Sequence, residues 1–587
     1  VKNPRILPGA PQIPRDSRRL AAAANHIAAL PNLALLVLFF AAVAFTHLTL
    51  LRLPYYWDEG GYYIPAALDF YRTGALIPHF TNAHPPLPNV LLGTLWHITG
   101  FHIAATRLFV CAFAAAALLA VFRLTQRLLN SAAAIAVTFL TACYPIWFAQ
   151  STLAHADIFA AAFTLAGFAI YLPAITLPSR PERTARRGET RSFAQTTAVA
   201  NLFLAIFFTL ATLSKETAIL QPATLACLEL FFLFRTRRST AFRQHLHTFA
   251  ALCFPALPLL AWYTYHHAHT GFTFGNPEYL RYNATANFTA MHILTALRYR
   301  FGHLFWQRNI WLPILLALAC LLLPRRAKPV RNHKATDHNT HDEARVLDPQ
   351  VLRTIALLIA TNWLAFSILG GALLTRYLLP IYPLILLVCV AVWNERVRLW
   401  PLFAAFTAAA FISALWLNPP TAFAPEDNLT YRDMIVVHQQ AIAFIDANYP
   451  NATVLTAWPA STELFEPDLG YTNHPIKVDS ITDFSSAQIY KAARDPGAFD
   501  TALIFTTHYA SPALQSYMLM HPGSFRGAEF ARDLNLSPFE AATILGGRIV
   551  WGPVDLDGER AAVLRFDRAY DASAIPSSLP PLRYTHP

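Results

Sequence analysis

The chain has 587 residues, 55% of them hydrophobic and only 13% charged, against about 25% charged in ordinary soluble domains. Its formal charge of +11 sits in small Arg and Lys clusters between apolar blocks, with no basic domain and no RNA-binding signature, which excludes a nucleic-acid partner. All six cysteines lie inside apolar blocks, which excludes a disulfide framework or a cysteine-based zinc site in the polar C-terminal part.

A bilayer-crossing helix needs about 20 mainly apolar residues. Eleven stretches approach that length: 31–51, 103–121, 132–149, 152–172, 196–213, 217–234, 249–264, 310–323, 351–374, 377–393 and 399–417. The first lacks the cleavage site of a signal peptide and is too long for one. The pattern predicts an all-α polytopic membrane protein with about 11 transmembrane helices, residues 31–417, after a cytoplasmic N-terminal segment, 1–30. Lys and Arg hold such a topology because they resist translocation. With the N-terminus inside, the inner segments 1–30, 122–131, 173–195, 235–248, 324–350 and 394–398 carry 24 Lys and Arg, and the outer connecting loops carry eight. Clusters such as Arg183, Arg186, Arg187 and Arg325, Arg326, Lys328 then share one side. A miscounted span would make them alternate.

The outer side holds the informative material. Loop 52–102 is aromatic and nearly uncharged, with Tyr55, Tyr56, Trp57, Tyr62, Tyr63, Phe70 and Tyr71 suited to helices in the headgroup layer. Loop 265–309 is similar. After Asn418-Pro419-Pro420 comes a segment of ordinary polarity, 418–587, with a helix-like stretch at 431–447 and β-rich runs at 452–457, 501–507 and 561–566. That alternation predicts a small α/β extracytoplasmic domain. It contains no glycine-rich phosphate loop.

Five separated regions place ionisable groups at the outer membrane level. Asp58-Glu59 follows the first span; such a pair also suits a helix N-terminus, but carboxylates in an uncharged aromatic loop are costly unless they bind something or move protons. His84-Pro85-Pro86-Leu87 reads by itself as a rigid turn before a surface helix. Asp157 stands beside His155 at the outer start of the fourth span, either as a cap or facing inward, since lipid does not tolerate it. Positions two apart on a helix diverge, so His155 and Asp157 are expected not to share a ligand. Ser214-Lys215-Glu216 is a very short turn that fixes a lysine otherwise free to snorkel. Arg376-Tyr377 opens the tenth span. Acids and fixed cations at one level suit an anionic lipid head and a nucleophile that needs a base.

These motifs resemble the GT-C glycosyltransferases. They are Asp58-Glu59 after the first span, His84-Pro-Pro-Leu, Asp157, the Lys215 turn, and the Arg376-Tyr-Leu-x-Pro-x-x-Pro run. The nearest branch is the dolichyl-phosphate-mannose-protein mannosyltransferase-like group, with the aminoarabinose transferase of lipid A, and the resemblance spans about residues 30–417. Many lipid A-modifying relatives carry Lys where this chain has His84. The resemblance implies transfer of a hexosyl or pentosyl unit from a polyprenyl-phosphate donor to a lipid, protein or glycan acceptor on the outer face, in a bacterial inner membrane. It implies Asp58 as base, Glu59 and Asp157 as supporting catalytic acids, and Lys215, Arg376 and Tyr377 on the donor phosphate. His84 and Glu216 are assigned to substrate or to a divalent metal, whose involvement the residues leave open. A polytopic transporter and an envelope-glycan ligase or oligosaccharyltransferase are the alternatives; transporters place such charges near the midplane, between related halves.

Overall fold

The computed structural model describes residues 24–77, 84–175, 187–238, 241–275, 289–326, 346–369, 372–419, 423–506, 520, 535–556 and 558–566, with the side chains of 187–196 left aside. The basic positions Arg183, Arg186 and Lys328 and the N-terminal segment 1–23 lie outside the described residues.

Each apolar stretch of the sequence contains helix, but not each is one long rod. Among the described residues, six helices are long and apolar enough to cross a membrane: Ile103–Leu128, Ala156–Ala174, Thr197–Ser214, Glu216–Thr236, Phe242–Thr270 and Pro349–Leu369. Asn32–Thr46, Ser131–Cys143 and Trp400–Ser413 are apolar but shorter. At about 1.5 Å per residue, a helix of 15 residues falls short of the roughly 30 Å hydrocarbon layer. Length alone therefore picks out fewer crossings than the eleven apolar stretches. Proline explains one of the breaks: Ser131–Cys143, capped by the Asn130 side chain on the Ala133 amide (2.8 Å), stops before Pro145, which opens a second helix, Pro145–Gln150. A further pair, Ala290–Asn309 and Trp311–Leu321, is bent by 91°, where Arg308 and Asn309 adopt positive φ of 51° and 65°. The stretch read as an outer loop at 265–309 thus ends in a helix, Ala290–Phe305, that packs on Pro349–Leu369.

The C-terminal part builds one five-stranded sheet. Its strands are β1 (Val454–Ala457), β2 (Val478–Ile481), β3 (Thr501–Phe505), β4 (Arg548–Leu556) and β5 (Glu559–Arg565), in the order β2-β1-β3-β5-β4. β1 runs parallel to β2 and β3, and β5 antiparallel to β3 and β4. β1 and β3 are buried throughout, as central strands covered on both faces are. The edge strands β2 and β4 are the ones absent from the sequence reading. β2 is half-exposed, and β4 is interrupted by Gly552-Pro553 with shifts of register, so neither shows a clean apolar run. Helix Thr430–Asn448 packs on β4 and β5.

The sheet domain rests on the segment that follows the first apolar helix. The Tyr55 amide donates to the Leu469 carbonyl (3.0 Å), Arg72 pairs with Asp468 (2.5 Å), and Trp458 meets Trp57 edge-on, ring centres 4.6 Å apart. Gly60-Gly61 permits this approach. A Cβ on Gly61 would lie 3.0 Å from the Trp458 ring, and one on Gly60 3.1 Å from Leu469.

Candidate active site

The segment carrying Asp58 is fixed by its neighbour. Glu59 is fully buried and engages both terminal nitrogens of Arg107, on helix Ile103–Leu128, with Nη2 at 2.9 Å. It also accepts from the amides of Tyr56 (2.8 Å) and Ala154 (2.5 Å). Arg107 in turn donates to the carbonyls of Pro54 (2.8 Å) and Thr152 (2.7 Å). Glu59 thus ties the loop after the first span to the segment that precedes Asp157. Removing one partner of such a pair strands a buried charge, at a cost of about 3–5 kcal/mol. Arg107→Ala is therefore expected to lower the melting temperature sharply in detergent. An unchanged melting curve would remove Glu59 and Arg107 as the frame of the site.

With Glu59 turned inward, Asp58 faces the centre. Its side chain makes no capping hydrogen bond to the one-turn π-helix Glu59–Tyr63 that follows. It pairs with Nη2 of Arg376. Arg376 is the hub: Nη1 donates to Glu426 (2.6 Å), and Nε lies 3.4 Å from Asp157. His155 Nδ1 also stands 3.4 Å from Nη1. His155, bonded through Nδ1 to Gln150 Oε1 (2.9 Å), and Asp157 both lie beside Arg376. His155 is the extended residue before helix Ala156–Ala174, not a member of it, so the helical divergence does not apply. Arg376 itself sits in a 3-10 turn, Thr375–Leu378, before the prolines that lead into helix Tyr382–Arg396.

The second cation, Lys215, occupies an extended position between Thr197–Ser214 and the 3-10 turn Glu216–Ile219. Its Nζ reaches Asp157 at 2.6 Å and lies 3.9 Å from the centre of the Tyr377 ring, a cation–π distance. Asp157 thereby stands between the two buried cations. His84 and Glu216 meet each other, Nδ1 to Oε2 at 2.9 Å, and His84 lies parallel to Tyr63, 5.6 Å between centres. Among the described residues no three His, Cys, Asp or Glu side chains gather as a metal-binding group; Asp58 and Asp157 face cations. A narrow cavity adjoins this cluster, lined by Asp157, Lys215, Arg376 and Tyr377 together with Thr164 and Gln221.

The structure brings Asp58, Asp157, Lys215, Arg376 and Tyr377 into one contiguous cluster. Glu59 stands behind Asp58, and the His84–Glu216 pair adjoins through Tyr63, whose ring also approaches His155 at 5.8 Å. Three contributors escaped the sequence reading. Arg107 is a lone charge in an apolar stretch, a signal that merited a partner search. Arg300 is buried and holds the backbone before Arg376 by donating to the carbonyls of Ala372 (2.8 Å) and Leu374 (2.5 Å). Glu426 belongs to an ordinary polar stretch, Pro425-Glu426-Asp427, with no local mark of its role.

Two comparisons with known proteins bear on this arrangement of a helical domain and a sheet domain around a charged cleft. Residues 83–262 match the family model described as dolichyl-phosphate-mannose-protein mannosyltransferase, a stretch that includes His84, Arg107, Asp157, Lys215 and Glu216. The fold is similar to that of ArnT from Cupriavidus metallidurans in the apo state, with a TM-score of 0.50 at 12% identity, covering 92% of this chain and 99% of that one. The same protein bound to undecaprenyl phosphate gives 0.48 at 13% identity, covering 90% and 97%. The oligosaccharyltransferase of Archaeoglobus fulgidus, in complex with Zn and sulfate, gives 0.41 at 11% identity over 84% of this chain and 67% of that one. No curated protein sequence matches the chain.

Proposed function

We propose that this integral membrane protein is a glycosyltransferase that moves a sugar from a polyprenyl-phosphate donor to an acceptor hydroxyl on the outer face, with inversion. The observation that carries the reading is that Lys215, Arg376 and Asp157 line one narrow cavity, with Asp58 held beside it by Arg376. The family matched over 83–262 is named for a dolichyl-phosphate-linked donor, which is the chemistry these residues suit. In the reaction the acceptor oxygen bonds to the anomeric carbon as the bond from that carbon to the phosphate oxygen breaks. The phosphate leaves with the electron pair. It needs cations rather than a proton, and Lys215 as a point charge and Arg376 as a planar fork supply them. The hydroxyl loses its proton in the same step, and Asp58 receives it. Asp157, between the cations, keeps both aimed at one place. Glu59 acts through Asp58 as a positioning residue, and the His84–Glu216 pair borders the sugar side.

The same reading sets the chain with eleven crossings, residues 1–30 in the cytoplasm and residues 418–587 outside, in a bacterial inner membrane. In a background without native cysteines, a cysteine at Ser480 is expected to react with an impermeant thiol reagent on intact cells, and one at Arg398 to react only after permeabilisation. The reverse pattern would invert the site's side of the membrane. Deletion of the chain is expected to remove one sugar from a lipid, protein or glycan of the envelope by mass spectrometry. An envelope identical in every glycosylated species would contradict transfer.

A further inference from the structure

Arg376 carries more negative charge than a resting phosphate grip requires. Three carboxylates, Asp58, Asp157 and Glu426, surround its guanidinium, and among the described residues Lys215 is the one other cation in direct contact with them. Two of the three have other duties in the reaction. The third, Glu426, comes from the 3-10 turn Pro425–Asp427, between the last apolar helix and the sheet domain. It is 4% exposed, and its bond to Nη1 occupies one edge of the fork that an incoming phosphate would use. With all three acids ionised, an arriving phosphate adds further negative charge against only two cations, in a site that burial makes poorly screened.

We infer that Glu426 is a displaceable counter-ion: it holds Arg376 while the site is empty, yields Nη1 to the donor phosphate, and takes up a proton from solvent as it does so. The proton balance is simple. The carboxylate and one proton become a neutral carboxyl, and the charge lost from Glu426 is replaced on Arg376 by the phosphate. Glu426 is suited to this, because burial pushes its carboxyl up to about 7 even with Arg376 beside it. The groups facing it are Arg376, which favours the ionised form, and Asp58 and Asp427, which oppose it. Tyr56 also lies within its field; of the helices packed on its turn, Pro145–Gln150 brings no titratable side chain, and Thr430–Asn448 brings Tyr431, whose hydroxyl is bonded to Thr152. Asp427 has a separate partner, the Thr375 hydroxyl, so it does not compete for the fork.

This inference rests on the phosphate-donor reading, and one titration separates their failures. Undecaprenyl phosphate is titrated calorimetrically into the purified full chain at pH 8, in two buffers of different ionisation enthalpy, with the neutral alcohol undecaprenol as control. Wild type is expected to take up about one proton per phosphate bound, since a group with its midpoint near 7 is mostly ionised at pH 8. Glu426→Gln should lose that uptake and bind the phosphate about threefold to tenfold more tightly, because a neutral amide competes less for the fork. Glu559→Gln serves as the control: burial also pushes that carboxyl up, to about 8, but it lies in β5, and uptake on binding should persist. If wild type binds the phosphate without taking up a proton, or Glu426→Gln binds no better and keeps the uptake, the counter-ion role falls while the donor reading stands. If the phosphate binds no better than the alcohol, both fall.

Discussion

Asp58→Asn is expected to leave folding intact and to remove most transfer activity. The two roles open to this residue separate by chemistry. An amide oxygen of the same shape still accepts from Nη2 of Arg376, whose charge keeps Glu426 and Asp157 as partners, so a purely structural role survives the change with little loss of stability. A base does not survive it, because the amide has no useful proton affinity at neutral pH. General-base contributions run from about a hundredfold to ten-thousandfold, so the purified variant should melt like wild type and turn over at least about a hundredfold more slowly. The structure already turns the Asp58 side chain away from the helix start and toward Arg376. Glu59→Gln is the companion, with a smaller loss in turnover and a measurable drop in melting temperature. If Asp58→Asn retains near-normal transfer, Asp157 becomes the base to test.

The second large effect is expected at the phosphate grip. Lys215→Ala and Arg376→Ala should each raise the donor requirement and slow turnover. A charge-assisted hydrogen bond is worth about 1.5–3 kcal/mol, or roughly tenfold to more than a hundredfold in kcat/KM. Arg376→Lys should not restore activity. The native side chain uses Nη1, Nη2 and Nε toward separate partners, and an ammonium on a flexible stem cannot reproduce that planar set. Steady-state kinetics against donor concentration checks this. Normal donor kinetics in both alanine variants would reduce the two cations to structural counter-ions of Asp157.

Much of this site was legible because charge in an apolar chain is expensive and therefore conspicuous. Asp58, Asp157, Lys215 and Arg376 each interrupt an apolar or aromatic stretch, and the count of apolar stretches set them at like ends. What could not be read was which acid serves which partner. Asp58 and Glu59 are adjacent, yet one faces Arg376 and the other Arg107, a division set by a helix some 50 residues downstream. Glu426 was hidden for the opposite reason: in a polar segment one more carboxylate carries no signal, and only the tertiary approach of the turn to Arg376 gives it a role. His155 was misjudged by treating it as helical when the helix begins one residue later. In the sheet domain, buried β1 and β3 announced themselves as apolar runs, whereas the edge strands β2 and β4 did not.

The most direct measurement follows the donor itself. Purified wild type in lipid nanodiscs is incubated with synthetic undecaprenyl-phosphate sugars and an envelope fraction from cells lacking the chain. Free undecaprenyl phosphate and the glycosylated product are then quantified by mass spectrometry, and the anomeric linkage is read by NMR. The proposed single displacement predicts release of undecaprenyl phosphate that depends on the acceptor fraction, a product of inverted configuration, and near-background release by Asp58→Asn. Donors that stay intact with every sugar and acceptor tried, while the same protein in sealed vesicles moves a solute across the bilayer, would contradict a glycosyltransferase and establish a transporter.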